Sequence, residues 1–321
     1  MNIRITIRNI GVLLNSCRNG NNTSKNLNRR TVSEVFRIEI EKRRGVVSNS
    51  TIENELTAYR SFLNFADKGV TLNRLTPDYF MRYERWLRNQ GVIPNTSACY
   101  MRSLRAIANR LGLDGKALFK NVKTTKDKAG KKAIDIKTIQ KISSIELPQG
   151  SFLSCARDMF IFSIMAMGMP FIDLAHLKKT DLRNGFIIYY RHKTQKRIAV
   201  RVEPCMEIII RRYNESQSPY LFPLLIETNP EKTEIEYKRL IGRYNRTLKR
   251  IADKCELKKN ITSYTARHTW ATIANEKGIG LGCISKALAH TSLVTTQNYL
   301  KEIDDEGLYK ANYQLIQEIF N

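Results

Sequence analysis

The sequence predicts a mainly α-helical fold with one small antiparallel β-sheet, divided into two domains of unequal size. The chain has 321 residues, which exceeds the usual size of a single domain. Apolar residues recur at helical spacing through most of it, whereas near residues 186–190 and 198–202 they alternate as in strands. Between the two halves, residues 120–132 are polar and rich in lysine, which predicts a linker.

The first domain is predicted to be a helical bundle over residues 31–119, preceded by a short strand and a polar, Asn-rich arm in residues 1–30. Capping boxes of the Thr-x-x-Glu and Ser-x-x-Glu type precede the first two helices, and a Thr-Pro pair precedes the third. The fourth helix is expected to end at Gly112. The residues that cap or open the four helices are predicted to be Thr31, Ser50, Thr76 and Asn95.

The second domain, residues 133–321, is predicted to begin with a helix capped by Asp135 and a strongly apolar helix over residues 151–167. Phe186, Ile188 and Tyr190 in one strand, and Ile198, Val200 and Val202 in the other, carry the strand alternation. The polar run between the strands, residues 191–197, predicts a hairpin whose tip presents lysines. The chain then returns to helix, and its end predicts an amphipathic C-terminal helix.

The composition is strongly basic, because 54 lysines and arginines stand against 30 aspartates and glutamates, a formal net charge of +24. Such an excess favours a polyanionic partner, above all nucleic acid, although ribosomal and membrane-surface proteins share it. The linker lysines are predicted to neutralise a DNA backbone, while an ordinary hinge would have the same composition. These lysines are Lys123, Lys126, Lys128, Lys131 and Lys132.

Other classes of site are not indicated. The six cysteines contain no Cys-x-x-Cys pair, which predicts reduced thiols and a cytoplasmic protein. The four histidines lack zinc-site spacing and no phosphate-binding glycine motif occurs, so we expect no metal, no nucleotide and no other cofactor. Arg4 and Arg8 interrupt what a signal peptide would keep apolar, and no apolar run is long enough to span a membrane.

The last fifth of the chain contains a candidate phosphodiester pocket. Arg267 lies in the run Tyr264-Thr-Ala-Arg-His-Thr, His290 follows in Leu-Ala-His, and Tyr299 comes nine residues later. A planar guanidinium suits two non-bridging phosphate oxygens, and a tyrosine hydroxyl can form a covalent intermediate. The three residue types together predict a covalent reaction of Tyr299 with DNA.

In the order and separation of these parts, the chain resembles the tyrosine recombinases of the phage integrase family, specifically a subgroup of bacterial integrases and DNA invertases. The resemblance covers about Thr31 to Tyr299. It is most specific in the second half, whereas the bundle is similar to the core-binding, SAM-like domain by general pattern only. The resemblance implies strand cleavage and rejoining at double-stranded DNA sites through a 3′-phosphotyrosyl intermediate and a Holliday junction. It also implies a homotetramer on DNA, coupled by the C-terminal helix, in the bacterial cytoplasm and nucleoid.

The resemblance also implies roles for individual residues. Tyr299 is then the nucleophile, while Arg267 and His290 bind the phosphate. Lys193 matches the hairpin lysine that protonates the leaving hydroxyl, with Lys196 as a second choice. Tyr264 stands where most members have histidine, and it can still donate a hydrogen bond.

Two further positions depart from the family pattern. The first family arginine aligns with Pro170 or, in this subgroup, with Met167, and neither side chain can hold a phosphate. Losing one such donor typically costs roughly 100- to 1,000-fold in rate. Ala289 replaces the usual glycine before His290, a change expected to fit most backbones. The cations nearest in sequence to the missing arginine are Arg157, Arg183 and Arg191.

Three hypotheses about the function remain, and the departure at Met167 bears on the first two. The chain is an active recombinase that is impaired or uses a displaced arginine, or it is an inactive DNA-binding protein with the recombinase fold. A type IB topoisomerase would use the same tyrosine chemistry without pairing two DNA sites. The integrase-like spacing and the lack of a longer clamp argue against this third hypothesis.

Overall fold

The computed structural model describes residues 30–125, 133–213, 217–290, 292–294 and 296. The chain divides into two compact units, Met1–Ala129 and Gly130–Asn321. The N-terminal strand, most of the linker, Tyr299 and the C-terminal helix, all predicted from sequence, lie outside the described residues.

The first unit contains the predicted helical bundle. A ring cluster of Phe36, Phe62, Phe80 and Tyr83 lies at its core, and all four side chains are buried. Its helices are α1 (Val32–Glu41), α2 (Asn49–Phe65), α3 (Pro77–Asn89), α4 (Pro94–Arg110) and the short α5 (Gly115–Leu118).

Two predicted helix starts in this unit are wrong by one or two residues. Ser48, not Ser50, caps α2, because the Ser48 side chain accepts a hydrogen bond from the backbone N–H of Thr51. Helix α4 begins at Pro94 rather than Asn95, since the fixed φ of proline suits the first helical position. Thr31 and Thr76 cap α1 and α3 as predicted.

The first residues of the predicted linker pack on this unit. Val122 is buried in the core of the bundle. The backbone N–H of Lys123 donates to Glu84 at 3.0 Å, and the carbonyl oxygen of Thr124 accepts from Arg102 at 2.7 Å. Val122 anchors this stretch to the bundle. A single apolar residue produces no helical or strand periodicity, so the sequence pattern did not indicate this packing.

The second unit is helical around a three-stranded antiparallel sheet of order β1-β2-β3. The long helix α7 lies in its core, where Phe160 and Phe162 are fully buried. The strands are β1 (Leu182–Arg183), β2 (Phe186–Tyr190) and β3 (Arg197–Arg201). The helices are α6 (Ile136–Ser144), α7 (Phe152–Met165), α8 (Phe171–His176), α9 (Pro204–Tyr213), α10 (Pro230–Lys254), α11 (Thr265–Glu276) and α12 (Leu281–Ala287).

The hairpin exists as predicted, but β2 buries the opposite face from the one that the alternation indicated. Ile187 and Tyr189 are buried, whereas Phe186 and Tyr190 are 41% and 66% exposed. All five β2 residues are apolar, so sequence alone does not choose a face. The pairing of Ile187 with Val200 and of Tyr189 with Ile198 makes the choice, because those partners are buried.

The same described ranges offer no metal site, disulfide or membrane span. No group of His, Cys, Asp and Glu side chains there could hold a metal ion. The five cysteines in those ranges are free thiols. No helix in them is both long and apolar enough to cross a bilayer.

Candidate active site

Arg267 lies on α11 against the turn that follows α7. Gly168 in this turn has φ +69°, and a Cβ atom there would lie 3.0 Å from the Cα of Arg267. Its carbonyl oxygen accepts a hydrogen bond from Arg267 Nη1 at 3.1 Å. Only glycine combines the left-handed backbone with so close an approach, so Gly168 sets the position of the arginine.

The guanidinium of Arg267 is held inside the protein. The residue is 2% exposed. Its Nη2 donates to the carbonyl oxygen of Leu288 and, at 3.2 Å, to Nε2 of His290. A buried cation is tolerated only with such hydrogen bonds, and they bring Arg267 and His290 together as the sequence predicted them to meet.

His290 follows a left-handed residue at the end of α12. Ala289 has φ +50°, and the backbone N–H of His290 donates to the carbonyl oxygen of Ser285 at 3.0 Å. An L-residue in this region costs roughly 1–2 kcal/mol. The expectation that alanine fits as a small change is therefore wrong, because glycine would adopt this φ without that cost.

The tautomer of His290 follows from its two partners. A guanidinium only donates, so Nε2 accepts from Arg267 and the proton is assigned to Nδ1. Nδ1 lies 2.8 Å from Oγ1 of Thr296, which is fully buried and accepts the hydrogen bond from Nδ1–H. Sequence reasoning missed Thr296, although it lies three residues before Tyr299 in the sequence.

Arg191 joins the same cluster from the β2–β3 hairpin. It is 8% exposed, and its Nη1 donates to the carbonyl oxygen of Leu288, the acceptor that Arg267 also uses. Its Nε lies 3.7 Å from Oδ2 of the buried Asp173. Oδ1 of Asp173 accepts from the backbone N–H of His192 at 2.8 Å.

Burial raises the pKa of Asp173, while the His192 N–H and the Arg191 charge oppose that rise. The hydrogen bond and the ion pair therefore favour the charged form of this carboxyl group, whereas burial, the larger effect, favours the neutral form. Through this hydrogen bond and ion pair, Asp173 fixes the backbone just after β2 and one edge of the Arg191 side chain.

The two other arginines named from sequence lie elsewhere. Arg157 donates to Asp158 and to the carbonyl oxygen of Ile145, both at 2.9 Å. Arg183 donates to the carbonyl oxygen of Thr180 at 2.6 Å. Of the three, the structure brings only Arg191 into contact with the residues around Arg267.

The hairpin lysines lie beside His290. Nζ of Lys196 donates to the carbonyl oxygen of His290 at 2.6 Å. Lys193 is exposed in the turn between β2 and β3. Desolvation first, and then the charges of the surrounding cations, lower the pKa of His290 to about 4. Those cations are Arg267, Arg191, Lys196 and Lys193. His290 is thus neutral at pH 7.

The remaining residues predicted for the site lie outside the cluster around Arg267 and His290 or outside the described residues. Tyr264 precedes α11, is 45% exposed, and packs edge-on against His268 with ring centroids 5.0 Å apart. Met167 has φ +56° and is half-buried against the core, and Pro170 precedes α8. Tyr299, Lys126, Lys128, Lys131 and Lys132 lie outside the described residues.

We expect the low pKa of His290 to make stability depend on pH. Between pH 6.5 and about 4 the unfolded chain protonates this residue while the folded chain does not. Stability therefore falls as pH falls through this window, and His290→Gln should reduce that fall. Urea unfolding at pH 7 and pH 4.5 measures it. His176, whose pKa is also lowered, remains in both proteins, so an identical fall in the two would contradict the assignment.

The fold is similar to that of known DNA integrases. The Tn1549 transposon integrase in complex with transposon right end DNA matches with a TM-score of 0.67 at 18% identity, covering 89% of this chain and 99% of that chain. A lambda integrase tetramer bound to a Holliday junction matches with a TM-score of 0.67 at 14% identity, covering 94% and 90%. The fold class is therefore that of the integrases that act on DNA.

Sequence comparison gives the family. Residues 131–306 match the phage integrase family, and residues 31–110 match the phage integrase SAM-like domain. The tyrosine recombinase XerD of Listeria monocytogenes is 26% identical over 276 residues, 80% of this chain and 89% of the relative. XerA of Thermococcus kodakarensis is 26% identical over 272 residues, 79% and 92%. The first match spans more than half of the 321 residues, and the chain belongs to the phage integrase family. It is a tyrosine recombinase, an enzyme that cleaves and rejoins DNA at specific sites.

Proposed function

We propose that this recombinase cleaves its DNA site with Tyr299 as the nucleophile and with Arg267 and His290 as ligands of the scissile phosphate. The observation that carries the proposal is the contact between Arg267 Nη2 and His290 Nε2 at 3.2 Å. The contact lies in a group of cations that, after desolvation, depresses the pKa of His290. Such a group favours an anion, and a phosphodiester supplies one.

The chemistry proposed for this site is a transesterification. The Tyr299 oxygen attacks the phosphorus, a 3′-phosphotyrosyl bond forms, and the bond to the 5′-oxygen breaks. Lys193 donates the proton that this oxygen takes up, with Lys196 as the second choice. A 5′-hydroxyl of another strand then reverses the reaction, so the phosphodiester energy is conserved and no nucleotide is consumed.

His290 changes its hydrogen-bonding role when the phosphate binds. In the free site Nε2 accepts from Arg267. A phosphate oxygen only accepts, so Arg267 turns its donors to the anion and Nε2 must carry a proton to bind it. The negative charge of the phosphate raises the pKa of His290 and favours this change.

We further propose that the enzyme acts as a homotetramer that joins two double-stranded DNA sites. The lambda integrase tetramer bound to a Holliday junction supports this assembly, because its fold is similar. The five linker lysines would neutralise DNA phosphates, and the C-terminal helix would contact a neighbouring protomer. Such an enzyme works where its DNA is, in the cytoplasm and nucleoid.

A covalent-adduct assay tests the proposed function. A binding site is first selected from a random duplex library by retention on the protein, and a nicked form of it then traps the cleaved state. We expect a protein–DNA adduct with wild type and none with Tyr299→Phe, since the attacking oxygen is absent. Tyr190→Phe, a change at an exposed β2 residue, should leave the adduct unchanged.

A second candidate function is DNA binding without cleavage. Met167, in place of the first family arginine, favours it. If wild type retains the selected duplex but forms no adduct on its nicked form, the binding function stands and the recombinase proposal fails. Relaxation of supercoiled DNA without exchange of strands between two sites would instead indicate a topoisomerase.

A further inference from the structure

We propose that Arg191, at the start of the β2–β3 hairpin, binds the scissile phosphate together with Arg267 and so replaces the arginine missing at Met167. The proposal rests on the proposed function of this site. Of the three arginines near Met167 in sequence, the proposal selects Arg191 and names the scissile phosphate as its ligand. Arg191 would then be a catalytic residue rather than a structural one.

The first support is geometric. Arg191 Nη1 and Arg267 Nη2 both donate to the carbonyl oxygen of Leu288, although Arg191 is 97 residues from Leu288 and Arg267 is 21 residues from it. Two donors on one oxygen lie at most about 6 Å apart. A phosphate group that contacts Arg267 is therefore within reach of Arg191 as well.

The second support is the balance of charge. Asp173 is the carboxylate that pairs with Arg191, and it is 4% exposed. Arg267 adds a second buried cation, Lys196 contacts His290 from the hairpin, and His290 is neutral. Two guanidinium groups this close repel each other in a site of low dielectric constant. A phosphodiester monoanion removes that repulsion.

The third support is an unsatisfied donor. Arg191 is 92% buried, the complement of its 8% exposure, yet its Nε donates no hydrogen bond within the described residues. A purely structural arginine at this depth is normally saturated with acceptors. The Nε of Arg191 instead lies 3.7 Å from Asp173 Oδ2, an atom that also accepts no hydrogen bond there. The guanidinium thus has capacity for another acceptor.

The backbone around Met167 is compatible with a phosphate contact that comes from Arg191 instead of from position 167. Met167 is half-buried against apolar side chains in the left-handed turn that presents Gly168 to Arg267. Gly168 thus keeps its contact with Arg267, while the side chain of Met167 packs against the core. The positive charge enters from the hairpin, where Asp173 positions Arg191.

The test compares a charged and a neutral phosphate. Arg191→Gln keeps an amide donor for Leu288 but loses the cation. Strand cleavage by wild type and variant is measured on the nicked substrate and on the same substrate with a methylphosphonate at the scissile position. We expect the variant to be about 100- to 1,000-fold slower on the phosphodiester. On the neutral methylphosphonate, which has no anionic charge to balance, we expect a difference of less than about tenfold.

The control is Arg183→Gln, the same change at an exposed strand residue, which should match wild type on both substrates. Each enzyme is compared with itself on two substrates, so a reduced folded fraction of Arg191→Gln cancels in the ratio. Equal losses on both substrates would show a structural role and overturn the proposal, as would wild-type speed of the variant on the phosphodiester. If wild type itself forms no adduct, the proposed function fails and this inference fails with it.

A complementary variant separates replacement from impairment. If Arg191 already supplies the second cation, Met167→Arg in the wild-type background should change the cleavage rate by less than about threefold. A gain of tenfold or more would mean that the site lacks a cation, and it would contradict the role assigned to Arg191.

Discussion

Arg267→Lys is expected to lower the rate of strand cleavage by about 100- to 1,000-fold. Arg267 donates to the carbonyl oxygens of Gly168 and Leu288 from different nitrogens of one planar group. A lysine ammonium is a single point of charge, so it cannot keep both contacts and also bind two phosphate oxygens. Single-turnover cleavage of the nicked substrate measures the effect.

The same variant should also unfold at a lower temperature, because lysine cannot keep the hydrogen bonds of Arg267 to both buried carbonyl oxygens. Arg250→Lys on α10 is the matched control: the residue is exposed, and the substitution keeps the same charge. Cleavage by Arg267→Lys within threefold of wild type would contradict the phosphate-binding role. A loss of stability with full cleavage activity would leave Arg267 only a structural role.

The sequence predicted the part of the site whose residues lie close together in the chain, within recognisable motifs. Arg267 and His290 are separated by 23 residues, and the two short helices α11 and α12 bring them together. Residue types and spacing near the C-terminus carried enough information for this pair. The hairpin lysines were also predicted, because a polar run between two strands has a clear sequence pattern.

The partners that the sequence did not identify depend on long-range packing. Arg191 and Leu288 are 97 residues apart, and no local pattern indicates that the hairpin packs beside the end of α12. Sequence reasoning offered Arg191 only as one of three nearby arginines. Asp173 belongs to no sequence motif, and its role becomes visible only with its ion pair to Arg191.

Backbone conformation was equally hidden. Met167 and Ala289 both have positive φ, and neither residue type signals it. Gly168 does signal a turn, but its close approach to Arg267 requires the packed structure. The buried face of β2 was not readable for a related reason: an unbroken apolar strand has no alternation until its partner strand supplies one.

Lys193→Ala is expected to slow cleavage of an ordinary substrate by about 100- to 10,000-fold, the usual contribution of a general acid. The exposed Lys193 lies in the hairpin turn close enough for its charge to lower the pKa of His290. The leaving 5′-oxygen needs a proton because an alkoxide is a poor leaving group. A substrate with sulfur in place of this 5′-oxygen does not, since a thiol has a pKa of about 8.5.

The sulfur substrate should therefore restore Lys193→Ala to within about tenfold of wild type, while Arg267→Lys should stay slow because its defect concerns the non-bridging oxygens. Lys196→Ala is the matched control on the same hairpin. Nζ of Lys196 donates a hydrogen bond to the carbonyl oxygen of His290. Loss of this hydrogen bond should loosen the hairpin and slow the cleavage of both substrates alike, by less than about tenfold. If sulfur restores Lys196→Ala instead and Lys193→Ala cleaves normally, the general acid is Lys196, because only the residue that protonates the leaving oxygen becomes dispensable when that oxygen is replaced.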